Sequence, residues 1–214
     1  MTTDTLPPYK EFVRGLFNRS GSPAQDFAHA VLGLSTEVYE LDNATSYTNS
    51  IEELGDLAFY DQALEIVVAD AFGIDVNSLP VRTLGEMLAA NPNWDTERAL
   101  AGDGLIAMDI RTFCICEMQD TAKRWIGYGK APSPEKAAET LAMAVAAFDL
   151  SAHLVSGAEI GSPECRLVAD LAVRANFDKL RARYKGSKFS QEAALNRDLD
   201  AELKVLDEAV AATS

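Results

Sequence analysis

Residues 34–60 read LSTEVYELDNATSYTNSIEELGDLAFY. Glu37 and Glu40 stand three apart, and so do Glu53 and Asp56 beyond a polar break at 45–49. Residues at i and i+3 share one helix face, and two helices joined by a short loop lie antiparallel. The spacing therefore predicts a helical hairpin whose facing stripes bring four carboxylates toward one point. Like charges crowded together repel, and partly buried ones shift their pKa values or recruit a cation. An all-oxygen ligand set suits Mg²⁺, Ca²⁺ or Mn²⁺. Glu53 has a competing role. With Ser50 as helix cap it reaches back to the backbone, whereas with Asn49 as cap Glu52 takes that place and Glu53 stays free.

The chain around this hairpin has 214 residues, enough for one large domain or two small ones. Its 48% hydrophobic content supports a core, and abundant Ala and Leu favour helices. The net charge of -14 repels long phosphate polymers, which excludes general nucleic-acid binding. A small anionic ligand is still compatible if a metal and a local basic cluster compensate. Residues 1–12 lack the basic and apolar regions of a signal peptide. No apolar run reads as long enough to span a membrane, so no membrane partner is expected. Cys114, Cys116 and Cys165 are odd in number and lack C-x-x-C spacing. They read as reduced core thiols of a cytoplasmic protein rather than a disulfide or zinc framework.

Residues 1–22 form a lead-in with an amphipathic piece at 9–17. Ser22-Pro23-Ala24-Gln25 reads as a cap, an N1 proline and a capping-box partner, opening a helix to about residue 44. The second helix opens at Asn49 or Ser50 and stops at Gly73, so residues 23–76 hold the first hairpin. Gly33 and Gly55 inside these helices each cost roughly 1 kcal/mol against Ala, which points to close helix approach. Residues 77–104 connect two halves through a short helix behind Thr83, a turn at Asn91-Pro92-Asn93 and a loop around Trp94 and Gly102. Residues 105–214 hold helices at 105–128, from Ser133-Pro134 to 156, and from Ser162-Pro163 to about 184. The last helix opens at Ser190 and carries Leu195, Leu199, Leu203 and Leu206 at helical spacing. It can pack on the body or on another subunit, and a homodimer or higher homo-oligomer is expected. The class is all-α: a four-helix-bundle-like core of two helical hairpins with an additional C-terminal helix.

The second half echoes the first. Glu117 lies on one long helix, and Glu135 and Glu139 lie on the next. The position three after Glu139 is Ala142, so this copy lacks an intact E-x-x-D. An internal duplication with one degenerate site accounts for the pattern; a chance likeness between Ala-rich hairpins competes with it. From Asn176 the chain reads NFDKLRARYKGSKF, where Lys179, Arg181, Arg183, Lys185 and Lys188 form the densest positive patch. Two roles are open. These cations complement a helix C-terminus, or they clamp phosphate, with Arg bidentate and Lys a point charge. Lys123 and Arg124 can join such a clamp from the 105–128 helix. Trp125 and Tyr128 can stack on a base or lie in the core. His29 reads as a surface or packing residue.

Taken together, Glu37-Val38-Tyr39-Glu40, the spacer, Glu53-Leu54-Gly55-Asp56 and the later Asn176, Lys179, Leu180, Arg183 and Tyr184 resemble one family. It is the MazG-like all-α nucleoside triphosphate pyrophosphohydrolases, whose relatives include dimeric dUTPases and phosphoribosyl-ATP pyrophosphohydrolase. The segment KFSQEAALNRDLDAE is similar to bacteriophage-type members, for which the location would be the host cytoplasm. The resemblance covers 23–72 and, as second copy plus tail, 105–200. It implies Mg²⁺, or Mn²⁺ as a substitute, on Glu37, Glu40, Glu53 and Asp56, which serve as both catalytic and metal residues. It also implies substrate contacts from Asn176, Lys179, Arg183 and Tyr184, which Lys123 can join from the 105–128 helix. The implied reaction is hydrolysis of an NTP or dNTP to monophosphate and pyrophosphate, with one of the four acids or Glu52 taking the water proton. The chain departs from a compact member because the N-x-x-K-L-x-x-R-Y tail follows the degenerate copy, so it can face either site. A selective dUTP or ppGpp hydrolase, a catalytically weak nucleotide-binding or scaffold protein, and a structural bundle with solvated acids are the alternatives.

Overall fold

Short polar side chains and prolines punctuate this chain, and the helices begin where they stand. The computed structural model describes residues 8–74, 95, 98, 103–184 and 188–211. Ser133 and Ser162 each accept the backbone N–H three residues on, with proline at the first helical position. Gly73, Gly129 and Gly157 close helices in the left-handed region, where a Cβ is costly. The described helices are α1 (Tyr9–Leu16), α2 (Pro23–Asp42), α3 (Tyr47–Phe72), α4 (Gly104–Tyr128), α5 (Pro134–Ser156), α6 (Pro163–Arg183), α7 (Gln191–Leu195) and α8 (Leu199–Ala211). No strand occurs among the described residues, and the fold is all-α. The short helix expected behind Thr83 and the turn at Asn91-Pro92-Asn93 lie outside the described residues.

Two starts differ from the sequence reading. Ser22 precedes α2, but its side chain makes no capping bond. The buried Asp26 carboxylate instead ties the preceding loop to the first turn, accepting from the Ser20 backbone and hydroxyl and from Arg19. At α3 the cap is Ser46, not Asn49 or Ser50.

The α2–α3 and α4–α5 hairpins pack side by side, α2 on α4 and α3 on α5. Their buried faces fuse into one apolar cluster that includes Leu34, Leu54, Leu64, Ile110, Met118 and Leu150. Full burial of each such side chain contributes about 1.5–3 kcal/mol. α6 lies across α3 and α5, and α8 lies against α6. Gly55 sets how near α6 comes: a Cβ there would stand 2.6 Å from the Ala172 carbonyl oxygen. Gly33 does the same under the Tyr60 ring, at 2.3 Å. A second apolar cluster of Phe12, Leu16, Phe177, Leu180 and Tyr184 ties α1 to α6.

The expected C-terminal helix is two helices, α7 and α8, broken at 196–198. Leu206 is buried, whereas Leu195, Leu199 and Leu203 are 75%, 61% and 52% exposed, so the leucine stripe is not one packing face. Trp125 packs between Phe27 and Phe72 in the core, and Tyr128 is exposed at the end of α4. Cys114 and Cys165 are buried free thiols, but Cys116 is exposed and not a core thiol. α5 is also long and apolar enough, by length and composition, to cross a membrane, contrary to the sequence reading. Its alanines supply that hydropathy, and many of them are buried in the bundle.

Candidate functional site

The hairpin ends fix the acids. Ser46 Oγ accepts from the Asn49 backbone N–H at 3.1 Å, so α3 opens a turn before the acidic stretch. The Asn49 side chain is then free to reach forward, and its Nδ2 donates to Glu53 Oε1 at 2.7 Å. Glu53 therefore does not reach back as a capping-box partner. Glu37, Glu40 and Glu53 each offer a carboxylate oxygen, and these oxygens lie within 4.8 Å of one another. Glu53 is buried, Glu37 half-buried and Glu40 exposed. Burial, then Asp56, Glu40 and Glu53, push the Glu37 carboxyl up to about 8 against the pull of Lys179. Burial, then Asp56, Glu52 and Glu40, push Glu53 up to about 7 against the Asn49 hydrogen bond.

Asp56 stands beside this triad and is held from α6. Asn176 Nδ2 donates to Asp56 Oδ1, while Tyr9 Oη donates to Asn176 Oδ1 at 3.1 Å and fixes the amide's orientation. Lys179 Nζ, fully buried, donates to Asp56 Oδ2 at 2.5 Å and to Glu52 Oε1 at 3.3 Å. Burial works against the Lys179 ammonium, but Asp56 and Glu52 outweigh it and hold its pKa above the usual lysine value. The tail residues Asn176 and Lys179 thus face the α2–α3 acids, not the α4–α5 hairpin.

Arg183 and Tyr184, one helical turn on, border the same cleft of about 340 Å³. Glu37, Glu40 and Asp56 line it together with Arg183 and Arg197. Arg183 is already engaged: its Nε and Nη2 donate to the two oxygens of the buried Glu202 at 2.8 and 2.5 Å. Burial would raise the Glu202 carboxyl, but Arg183 and Arg197 outweigh it and hold it below the usual range. Lys123 does not line the cleft. It is 65% exposed on α4 and pairs with Asp120, as does Arg124. His29 is exposed, stacks on Phe17 with ring centroids 4.7 Å apart, and borders the cleft.

Sequence reasoning did not assign Asn49, Tyr9, Tyr60, Arg197 or Glu202. Asn49 was findable, standing four residues before Glu53 on the same helix face. Tyr9, Arg197 and Glu202 arrive through tertiary packing and carry no local signal. Comparison of the chain with known protein families, with curated proteins and with solved structures finds no match.

Proposed function

We propose that this chain hydrolyses a nucleoside triphosphate, NTP or dNTP, to a monophosphate and pyrophosphate, as a MazG-like pyrophosphohydrolase dependent on Mg²⁺ or Mn²⁺. The observation that carries this reading is the meeting of the Glu37, Glu40 and Glu53 carboxylates, two of which line a cleft together with Asp56 and two arginines. The donor set fits a hard divalent cation: all ligand atoms are oxygen, and their mutual repulsion is what a cation relieves. Glu37, Glu40 and Glu53 would hold it, with Asp56 beside them. When bound, the ion neutralises phosphate charge and lowers the pKa of a coordinated water. Asn176 and Lys179 orient Asp56 so that its carboxylate cannot swing away from the triad. Tyr60, Tyr184 and Phe59 also line the cleft, and their rings offer surface to a base or sugar.

The purified protein, offered each NTP and dNTP with Mg²⁺, is expected to release monophosphate and pyrophosphate from at least one of them. Failure with every nucleotide, dUTP and ppGpp included, would sink the enzyme reading. A second reading has its own observation. Lys179 is spent on Asp56 and Glu52, and Arg183 on Glu202, so two cations of the expected phosphate clamp are internally paired. A nucleotide-binding protein with weak turnover fits that pairing. It would show metal-dependent thermal stabilisation by nucleotide without pyrophosphate release.

A further inference from the structure

We propose that α1 is coupled to the acid site through one hydroxyl: Tyr9 decides which end of the Asn176 amide faces Asp56, so the seating of the N-terminal helix and cation binding by the acids favour each other. This rests on the reading that Glu37, Glu40 and Glu53 hold a divalent cation with Asp56 beside it. Pro8 precedes α1, and its carbonyl accepts the Glu11 and Phe12 N–H groups, so Tyr9 is the first helical residue. Tyr9, Phe12 and Leu16 then recur on one face at helical spacing. Phe12 packs on Phe177 with ring centroids 4.3 Å apart, and the Tyr9 ring lies 6.4 Å from the same ring. Phe177 follows Asn176 on α6. The contacts that seat α1 therefore also bring Tyr9 Oη to Asn176 Oδ1.

The amide keeps one freedom. Asn176 is fully buried, and its Cβ lies where a Cβ on Gly55 would meet it at 2.8 Å, so packing on α3 fixes the root of the side chain. Packing leaves open the turn of the amide plane about its last torsion. The Asp56 carboxylate can only accept, so it takes the NH₂ end. Oδ1 is left facing α1, with Tyr9 Oη as its donor among the described residues. Burial, then Asp56 and Asp61, hold the Tyr9 phenol well above the usual tyrosine range, so it stays a donor. Without that hydroxyl, a buried carbonyl oxygen loses its partner. Turning the amide over would set Oδ1 against the Asp56 carboxylate, acceptor against acceptor. Either way Asp56 keeps Lys179 and loses a steady second donor, and its place beside the triad is no longer fixed. The ion pairs of α1, Lys10 with Glu65 and Arg14 with Asp70, are partly exposed and do not reach the triad. Tyr9 is thus a positioning residue, and the coupling is reciprocal: a cation that draws Asp56 into place favours the amide orientation that holds α1.

The test uses the full chain. Mn²⁺ affinity is read by calorimetry, and hydrogen exchange of the 9–16 backbone amides is read by mass spectrometry with and without Mg²⁺. Tyr9→Phe keeps the ring against Phe177 and removes only the hydroxyl, so the fold survives with a melting temperature lower by about 2–4 °C. It is expected to weaken Mn²⁺ binding about fivefold. Mg²⁺ should slow exchange in α1 of the unaltered chain and not in Tyr9→Phe. In an Asn176→Ala background, Tyr9→Phe should change affinity no further. Arg14→Gln, which loosens the same helix at the surface, should leave affinity unchanged. Unaltered Mn²⁺ affinity in Tyr9→Phe would overturn the coupling, and so would α1 exchange that ignores Mg²⁺ or additive effects of Tyr9→Phe and Asn176→Ala. Equal losses in Arg14→Gln and Tyr9→Phe would overturn the role of the hydroxyl and leave a general loosening of α1. No Mn²⁺ binding by the unaltered chain would overturn the proposal too. A chain that binds Mn²⁺, hydrolyses nothing and loses affinity in Tyr9→Phe keeps the coupling and loses only the enzymatic reading.

Discussion

The α2–α3 and α4–α5 hairpins carry acids in similar places and settle their repulsion in opposite ways. In α4–α5, Lys136 Nζ stands 3.7 Å from Glu117 and 3.4 Å from Glu139, with all three side chains open to water. Glu135 opens its own helix, where its backbone N–H and then the Ser133 hydroxyl hold its carboxyl below the usual range. A lysine, water and a helix end neutralise that set. In α2–α3, no ion pair reaches Glu37, Glu40 or Glu53 among the described residues, and Lys179 serves Asp56 and Glu52 instead. Crowded carboxylates without a counter-charge work against folding. Their presence in one hairpin and not the other marks α2–α3 as the place where local stability yields to something else.

The sharpest way to break this contrast is to remove one crowded charge. Glu53→Gln keeps an acceptor for Asn49 and loses the carboxylate. Turnover is expected to fall by about a thousandfold or more, while the metal-free protein melts at the same or a higher temperature. An active variant would take Glu53 out of the site. A marked drop in melting temperature would mean that the carboxylate stabilises the fold rather than straining it.

The lysines offer a paired test. Lys179→Met takes a buried ammonium from between Asp56 and Glu52, and should cost about 3 kcal/mol in denaturant unfolding. Lys136→Met breaks exposed pairs only and should cost less than about 1 kcal/mol. Equal costs would erase the distinction between a buried clamp and a solvated one. Gly55→Ala probes the same clamp from behind. Its Cβ would meet the Ala172 carbonyl oxygen at 2.6 Å and Asn176 Cβ at 2.8 Å, so α6 must shift. The expected cost is about 1–3 kcal/mol, with loss of turnover because Asn176 and Lys179 move together. Gly55→Ala with unchanged stability and rate would show that α6 is not held that close.

Those glycines show what the sequence could and could not disclose. Gly33 and Gly55 interrupt good helices, and their cost was legible as close approach; which helix approaches was not. The starts at Ser133 and Ser162 and the stops at Gly73 and Gly129 follow from local hydrogen bonding, so pattern sufficed for them. The start at Ser46 was missed because Ser46, Asn49 and Ser50 are all good caps. In the fold Ser46 accepts the Asn49 N–H, while the Asn49 side chain accepts the Thr45 N–H and donates to Glu53. The convergence of Glu37, Glu40 and Glu53 was readable from i, i+3 spacing on two antiparallel arms. The direction in which Lys179 faces was not, since it depends on how α6 crosses α3. Lys123 was grouped with the clamp because it is basic, although its ion pair with Asp120 on the same helix keeps it on the surface of α4. Arg197 falls in the break at 196–198 and borders the cleft, and no local signal in the sequence marks that break or the pairing of Arg197 with Glu202.

The smallest expected effect is also the most specific to crowding. An unfolded chain ionises its glutamates near pH 4.3, whereas folded Glu37 and Glu53 hold their protons up to about 8 and about 7. Between those limits the folded state binds more protons, so stability falls as pH rises. Asp61, which burial, Glu65 and Asp149 push up to about 7, titrates in the same window, so the crowded pair is read from the part of the slope between pH 5 and 8 that Glu53→Gln removes. In EDTA, the melting temperature should fall across that window. Glu53→Gln should flatten part of the slope, and Lys136→Met should leave it intact, because the acids of α4–α5 sit in water beside their lysine. Added Mg²⁺ or Mn²⁺ should reverse the trend, since the ion binds the deprotonated set and gains affinity as pH rises. A melting temperature that stays flat or climbs from pH 5 to 8 without metal would show that the α2–α3 acids are as well neutralised as those of α4–α5.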